Sequence, residues 1–210
     1  MTVFVMSCEL GSRGEDIIAS LASEFHLHIV DHGFLSQHIG QLIGVKDISA
    51  QRFLEERTFF WERWKIDSRR FSRFAALEIL EFAVRGNVII HAWGAVQLLA
   101  DMPHAIRVRV CAPMDNRIDE LVSQANKVIW EMSEPIAQVP ELVRERMVVS
   151  RHDARRQIQT HDLGQAKLVW KQFRRDWKDP VQYDIVLDTA NMSTVDCVFQ
   201  VRELISRTGL

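Results

Sequence analysis

The turn Gly11-Ser12-Arg13-Gly14 stands between an apolar run, Val3 to Met6, and a stretch in which Ile17, Ile18, Leu21 and Ala22 recur at helical spacing. Glycines at a strand-to-helix turn leave backbone N–H groups free to hold an anion, and the helix start adds the positive end of its dipole. That helix begins with Glu15 and Asp16, which suit the dipole but repel any phosphate brought to it. Asp31 closes a second short apolar run, His28 to Val30, where an acceptor or metal ligand of a parallel sheet would sit. It is equally placed to cap the helix that follows at Gly33. From Arg144 to Arg175 the chain carries nine arginines and lysines, including Arg151, Arg155 and Arg156 beside Asp153. The charged segment 139–180 reads as a mobile helical lid rather than core. Residues Phe53 to Phe74 interleave Phe53, Phe59, Phe60, Trp61, Trp64, Phe71 and Phe74 with arginines, a pattern able to stack bases. At helical spacing the same aromatics form a core stripe or a homodimer interface, and that reading is preferred.

Other chemistries are excluded by spacing. The eight histidines include no H-E-x-x-H pair; His26 and His28 alternate on a strand, and His32 and His38 are too far apart to share a metal. No G-x-S-x-G nucleophile turn occurs. Cys8, Cys111 and Cys197 are odd in number and widely separated, so they are packing residues of a chain expected in a reducing compartment.

The elements that must position these groups alternate. Strands are expected at residues 3–6, 28–30, 88–90, 106–110 and 183–187, with helical segments between them. Residues 49–84 read as helix throughout. Ser193 is a good N-cap for a terminal helix with Val195, Val198, Phe199, Val201 and Leu204 inward. Strands separated by helices imply a parallel sheet covered on both faces, with ligands at the carboxyl ends of the strands.

Composition sets the outer bounds. At 210 residues with 47% hydrophobic and 26% charged side chains, one domain with a single core is expected. The formal charge of −2 provides no global field for nucleic acid or anionic membrane, so any anion site is local. The apolar start stops at Cys8-Glu9, too short for a signal peptide or membrane span, and a cytoplasmic chain is expected.

Taken in order, these residues resemble the bacterial cytidylate-kinase-like proteins, a branch of the P-loop kinases. The resemblance runs through Ser7, Glu9, Gly11-Ser12-x-Gly14 and Asp31, then Ile89-Ile90 with Gly94-Ala95, and Ala112-Pro113 with Arg117. It continues with Asp153-x-x-Arg156, Asp176-Trp177-Lys178-Asp179-Pro180 and Tyr183-Asp184-Ile185-Val186-Leu187-Asp188-Thr189. It implies one kinase-like domain over residues 1–210, a three-layer α/β sandwich. A five-stranded parallel sheet would carry helices on both faces, an acceptor-binding helical region at about 45–85 and a lid at about 139–180. The implied activity is ATP-dependent phosphoryl transfer, with Mg2+, to a nucleoside monophosphate or similar small acceptor. Gly11, Ser12, Arg13 and Gly14 would then hold ATP; Asp31, Trp93 and Arg151 would face the acceptor; and Arg117, Asp153 and Arg156 would be catalytic.

Two departures qualify that activity. Against a standard G-x-x-x-x-G-K-[ST] loop, Cys8 stands for the first glycine, Arg13 for the last, Gly14 for the lysine and Glu15 for the hydroxyl residue. The family's loop typically reads G-S-G-G-R-E, and its arginine is here Glu15. After the third strand the family's Gly-Arg-Gly-Ala is Ala92-Trp93-Gly94-Ala95, so the arginine that would hold an acceptor phosphate is Trp93. The alternative is a catalytically impaired kinase fold acting as a nucleotide-binding or protein-interaction module.

Overall fold

Val3–Cys8 forms β1, and Val3, Phe4, Val5 and Met6 are all buried. A strand apolar on both faces belongs inside a covered parallel sheet. The computed structural model describes residues 2–42, 68–92, 94–131 and 149–208. In it β1 is the central strand of a five-stranded sheet ordered β2-β3-β1-β4-β5. The others are His28–Asp31 (β2), Val88–His91 (β3), Ala105–Cys111 (β4) and Ile185–Asp188 (β5), and every pairing is parallel.

The described helices are Gly14–Phe25 (α1), His32–Leu42 (α2), Ser68–Arg85 (α3), Ala95–Leu98 (α4), Met114–Glu131 (α5), Arg151–Phe173 (α6) and Thr194–Thr208 (α7). Alternate strand side chains build two core layers. Val3, Val5, Val88 and Ile90 pack with Leu35, Ile39, Ala75 and Ile79 of α2 and α3. Phe4, Met6, Ile89 and Val108 pack with Ile17, Leu21, Val198 and Val201 of α1 and α7. Register places Asp31 beside His91, Cys8 beside Val110 and Cys111 beside Asp188, so the loops after all five strands open at one edge.

Three expectations are revised. The charged segment is not detached from the body: α6 buries Ala154 and Ile158 against Ile118 and Leu121 of α5, and Val169 further along is also buried. Its Ser150 N-cap accepts from the Asp153 amide at 3.1 Å, which starts the helix. In α7, Ser193 caps as expected, but Val195 and Phe199 face outward and Cys197 takes an inward position. The last strand begins at Ile185, because the Tyr183 amide still closes the turn Pro180–Gln182 by donating to the Pro180 carbonyl at 3.1 Å. Of the aromatic run, residues 53–67 lie outside the described residues, and Phe74 packs against the core. No helix among the described residues is long and apolar enough to cross a membrane.

Candidate phosphate site

β1 leads into the turn through Glu9, whose amide donates to the Val110 carbonyl, and Ser12 closes it with a bond to the Glu9 carbonyl at 3.0 Å. Gly11 has φ +79°, and a Cβ there would overlap the Arg117 carbonyl oxygen. Only glycine allows the loop to lie so close to α5. At Gly14 a Cβ would overlap the Cys8 side chain, so the cysteine occupies space that a glycine at position 8 would leave empty. Burial, reinforced by Glu15, pushes the Cys8 thiol up and keeps it protonated.

Arg13 does not face the cleft. It adopts φ 58° as the residue before α1, and its guanidinium donates to the carbonyls of Thr189 and Met192 after β5. Thr189 in turn donates from Oγ1 to the Ser12 carbonyl at 3.0 Å. The loop is thereby fastened to the segment after β5. Ser12 is 1% exposed, yet its hydroxyl has no hydrogen-bond partner; it lies 3.6 Å from the place a Gly14 Cβ would occupy.

The outer side of the loop rests on a buried ionic cluster. Glu9 receives Arg109 Nη2 at 2.7 Å and lies 3.3 Å from Arg117 Nη1. Arg117 also donates from Nε to the Leu10 carbonyl at 2.8 Å and grips both oxygens of Asp162 at 2.9 and 2.7 Å. Burial alone would raise the Asp162 carboxyl, but His161, Arg117 and Lys178 together hold it well below the usual carboxylate range. Arg109 is completed by the Trp177 carbonyl at 3.0 Å and lies over the Trp177 ring, 4.7 Å from its centroid.

On α6 the lid arginines divide. Arg151 pairs with Asp119 and Arg155 with Asp115, both on α5. Asp153 is the capping partner of Ser150, which donates to it at 2.6 Å, and that bond draws its carboxyl below the ordinary value. Arg156 is exposed and its guanidinium has no ion-pair partner among the described residues.

Across the loop, a cavity of about 30 Å³ at the ends of β1 and β3 is lined by Cys8, His32, His91, Gly94, Gln165 and Trp177, among others. That volume suits one or two waters. Burial, helped by His91 and His161, lowers His32 to about 3. His91 is lowered too, chiefly by burial, against the bond it makes from Nδ1 to the Met6 carbonyl at 3.1 Å. Both imidazoles are therefore neutral at pH 7. Asp31 spends one oxygen as the cap of α2, accepting from the Phe34 amide at 2.7 Å. Trp93 lies outside the described residues.

A sheet ordered β2-β3-β1-β4-β5, with a glycine turn between β1 and α1 and a helix across its mouth, agrees with the sequence profile of the cytidylate kinase-like family, which matches residues 4–191. The chain belongs to the cytidylate kinase-like family. Its fold is the kinase-like P-loop α/β fold. An uncharacterized protein from Eubacterium ventriosum superposes with TM-score 0.68 at 13% identity, covering 98% of this chain and 99% of that one. Shikimate kinase from Acinetobacter baumannii, in complex with shikimate, gives TM-score 0.52 at 12% identity over 100% and 94%. Shikimate kinase from Bacteroides thetaiotaomicron gives 0.51 at 11% over 100% and 99%. No curated relative matches the chain.

Of the residues singled out in this family pattern, the structure gathers Gly11, Ser12 and Gly14 in the turn. It places Arg117 beneath the turn, its side chain 3% exposed and occupied by Leu10, Glu9 and Asp162. Arg151 and Asp153 lie on the outer first turn of α6. Arg109, Asp162, Lys178, His32 and His91 were not singled out. Lys178 had a signal, its place within Asp-Trp-Lys-Asp-Pro, whereas Arg109 and Asp162 are 100 and 153 residues from Glu9 and its neighbourhood only through the fold.

The residues depart from a Walker-type magnesium site, because the position of the hydroxyl that would bind the metal carries Glu15. Toward a phosphate the turn presents the amides at the start of a 12-residue helix and lacks the usual lysine.

Proposed function

We propose that this cytidylate kinase-like protein binds a nucleotide at the turn after β1 but is a poor phosphotransferase, serving as a nucleotide-binding module. The observation that carries this reading is the diversion of Arg13 to the carbonyls of Thr189 and Met192, which leaves Glu15 and Asp16 as the charged residues at the open start of α1. A transferring phosphoryl group needs fixed positive charge around it, and losing one such contributor commonly costs about 10²–10³ in rate. Backbone amides and the dipole of α1 would orient the phosphate, the Ser12 hydroxyl would donate to it, and α6 would exclude water. The neutral His32 and His91 side chains at the ends of β2 and β3 would bring no counter-charge to it.

The competing reading is an ATP- and Mg2+-dependent kinase of a nucleoside monophosphate or similar acceptor. It is favoured by the exposed Arg156, a lid guanidinium with no ion-pair partner among the described residues, and by Asp31 at the end of β2.

Thermal unfolding with ADP, followed by ATP consumption with CMP or dCMP, separates them. ADP raises the midpoint by mass action, ATP consumption stays at background, and Glu15→Arg enlarges the ADP shift. CMP-dependent turnover of about 1 s⁻¹ or more, the range of ordinary enzymes, would make the kinase reading correct. Absence of any nucleotide shift would remove both.

A further inference from the structure

Lys178, in the segment that follows α6, reaches Glu9 at the entry to the turn. Its Nζ is 3.5 Å from Glu9 Oε1 and 3.4 Å from Asp162 Oδ2, and it lies over the Trp177 ring at 5.2 Å from the centroid. Its side chain is 47% exposed, whereas those of Arg109 and Arg117 are 5% and 3% exposed. Charge balance decides whether the two carboxylates need it. Glu9 already meets Arg109 and Arg117, and Asp162 already meets both ends of the Arg117 guanidinium. Two negative groups are thus matched by two buried positive ones, and Lys178 leaves the cluster with one positive charge in excess.

The turn itself has an open demand. The Ser12 hydroxyl is buried inside it without a partner, and an unsatisfied buried group of this kind requires an explanation. A bound anion supplies one, since the hydroxyl can donate to it. The turn lacks a lysine at position 14, and Arg13 is engaged elsewhere.

We propose that Lys178 is the phosphate-binding cation of this site, moving from the Glu9 and Asp162 carboxylates to a phosphate oxygen held at the Gly11–Gly14 turn. The inference rests on nucleotide binding at that turn. An ammonium on a flexible four-carbon stem can change partners at little cost, and Glu9 and Asp162 keep their arginines when it leaves. The carboxylates that oppose the transfer are Glu9, Asp162 and the exposed Glu15 and Asp16 at the start of α1.

The test is calorimetric titration of the wild-type chain, Lys178→Met and Lys178→Arg with ADP, adenosine and inorganic tripolyphosphate, with unliganded unfolding midpoints alongside. Lys178→Met is expected to weaken ADP and tripolyphosphate by about tenfold or more, as loss of a charge-assisted bond does. It leaves adenosine unchanged, and Lys178→Arg keeps most of the affinity. Equal ADP affinity in wild type and Lys178→Met would overturn the role of Lys178 while leaving nucleotide binding intact. A fall in the unliganded midpoint as large as that of a buried-pair mutant would also overturn it, because the charge count makes this lysine dispensable to the fold. No ADP binding by the wild type would remove both this inference and the reading beneath it.

Discussion

The two sides of the turn after β1 are built on opposite principles. On the outer side, Glu9, Arg109, Arg117 and Asp162 form a buried and mutually satisfied ionic cluster, with carbonyls of Leu10 and Trp177 taking the remaining donors. On the inner side stand a buried Ser12 hydroxyl without a partner, a protonated Cys8 thiol and two neutral histidines around a cavity of about 30 Å³. Charge on the outer side fixes the shape of the loop, while the cysteine and histidines around the cavity carry none. In a loop with a lysine of its own, shape and ligand charge are combined in one element; this chain divides them.

The outer cluster is most vulnerable at Arg117. Arg117→Met is expected to lower stability by about 3–5 kcal/mol, because Asp162 and Glu9 lose a buried partner. Ser12→Ala, on the inner side, is expected to be neutral or slightly stabilising in the unliganded protein, since it removes a hydroxyl that has no partner to lose. Urea unfolding of the two variants measures both effects. Equal losses would mean that the inner side is as fully bonded as the outer.

Acid separates the two sides by window. His32 has a folded value of about 3 against an ordinary 6.5, so between these values the unfolded chain binds the proton more readily. Stability due to this group is complete above pH 6.5 and declines as the pH falls toward 3, by at most about 1.4 kcal/mol per pH unit. His91 is shifted in the same sense. Asp162 is depressed, so its contribution is present above the ordinary carboxylate value of 3.8 and is lost only as the pH falls below it, toward the lower folded value. Urea midpoints from pH 7 to 3 are therefore expected to fall first through the inner side, with His32→Gln reducing the slope between pH 6 and 4, about the middle of that window. A slope unaltered by His32→Gln would place the acid sensitivity elsewhere.

How much of this was legible follows from the distance over which each signal acts. The alternation of apolar runs with helical spacing is local, and it located β1, β2, β3 and β4 in a sheet covered on both faces, as well as Ser193 as a cap. Glycine at positions 11 and 14 and the carboxylates at 15 and 16 were likewise readable along the chain. The direction of a long side chain was not. Arg13 reads as part of a phosphate turn until the αL backbone and the carbonyls of Thr189 and Met192, some 180 residues away, turn it aside. Arg117 reads as a catalytic arginine of the family pattern, and the close passage of Gly11 puts it under the loop. Val195 and Phe199 read as inward from apolar type, but helical phase puts Cys197 beside Val198 and Val201 on the buried face and turns both outward.

The smallest expected effect concerns the arginines of α6, where charge is exposed. Arg151 and Arg155 bridge to Asp119 and Asp115 on α5, with every partner about half exposed or more. Pairs of this kind contribute about 0–1 kcal/mol, since water screens them and two long side chains must be held. Arg151→Ala and Arg155→Ala are each expected to cost less than that, and the two losses should add, because the bridges share no partner. Arg156→Ala, without an ion pair among the described residues, is expected to change stability by no more than about 0.5 kcal/mol. Its informative readout is ADP affinity. A loss confined to Arg156 would mean that α6 keeps one guanidinium for the ligand and uses the other two to lie along α5. An equal loss in all three variants would mean that the bridges to α5 open on binding, and that the helix is held in its place by its buried face, Ala154 and Ile158, rather than by its charges.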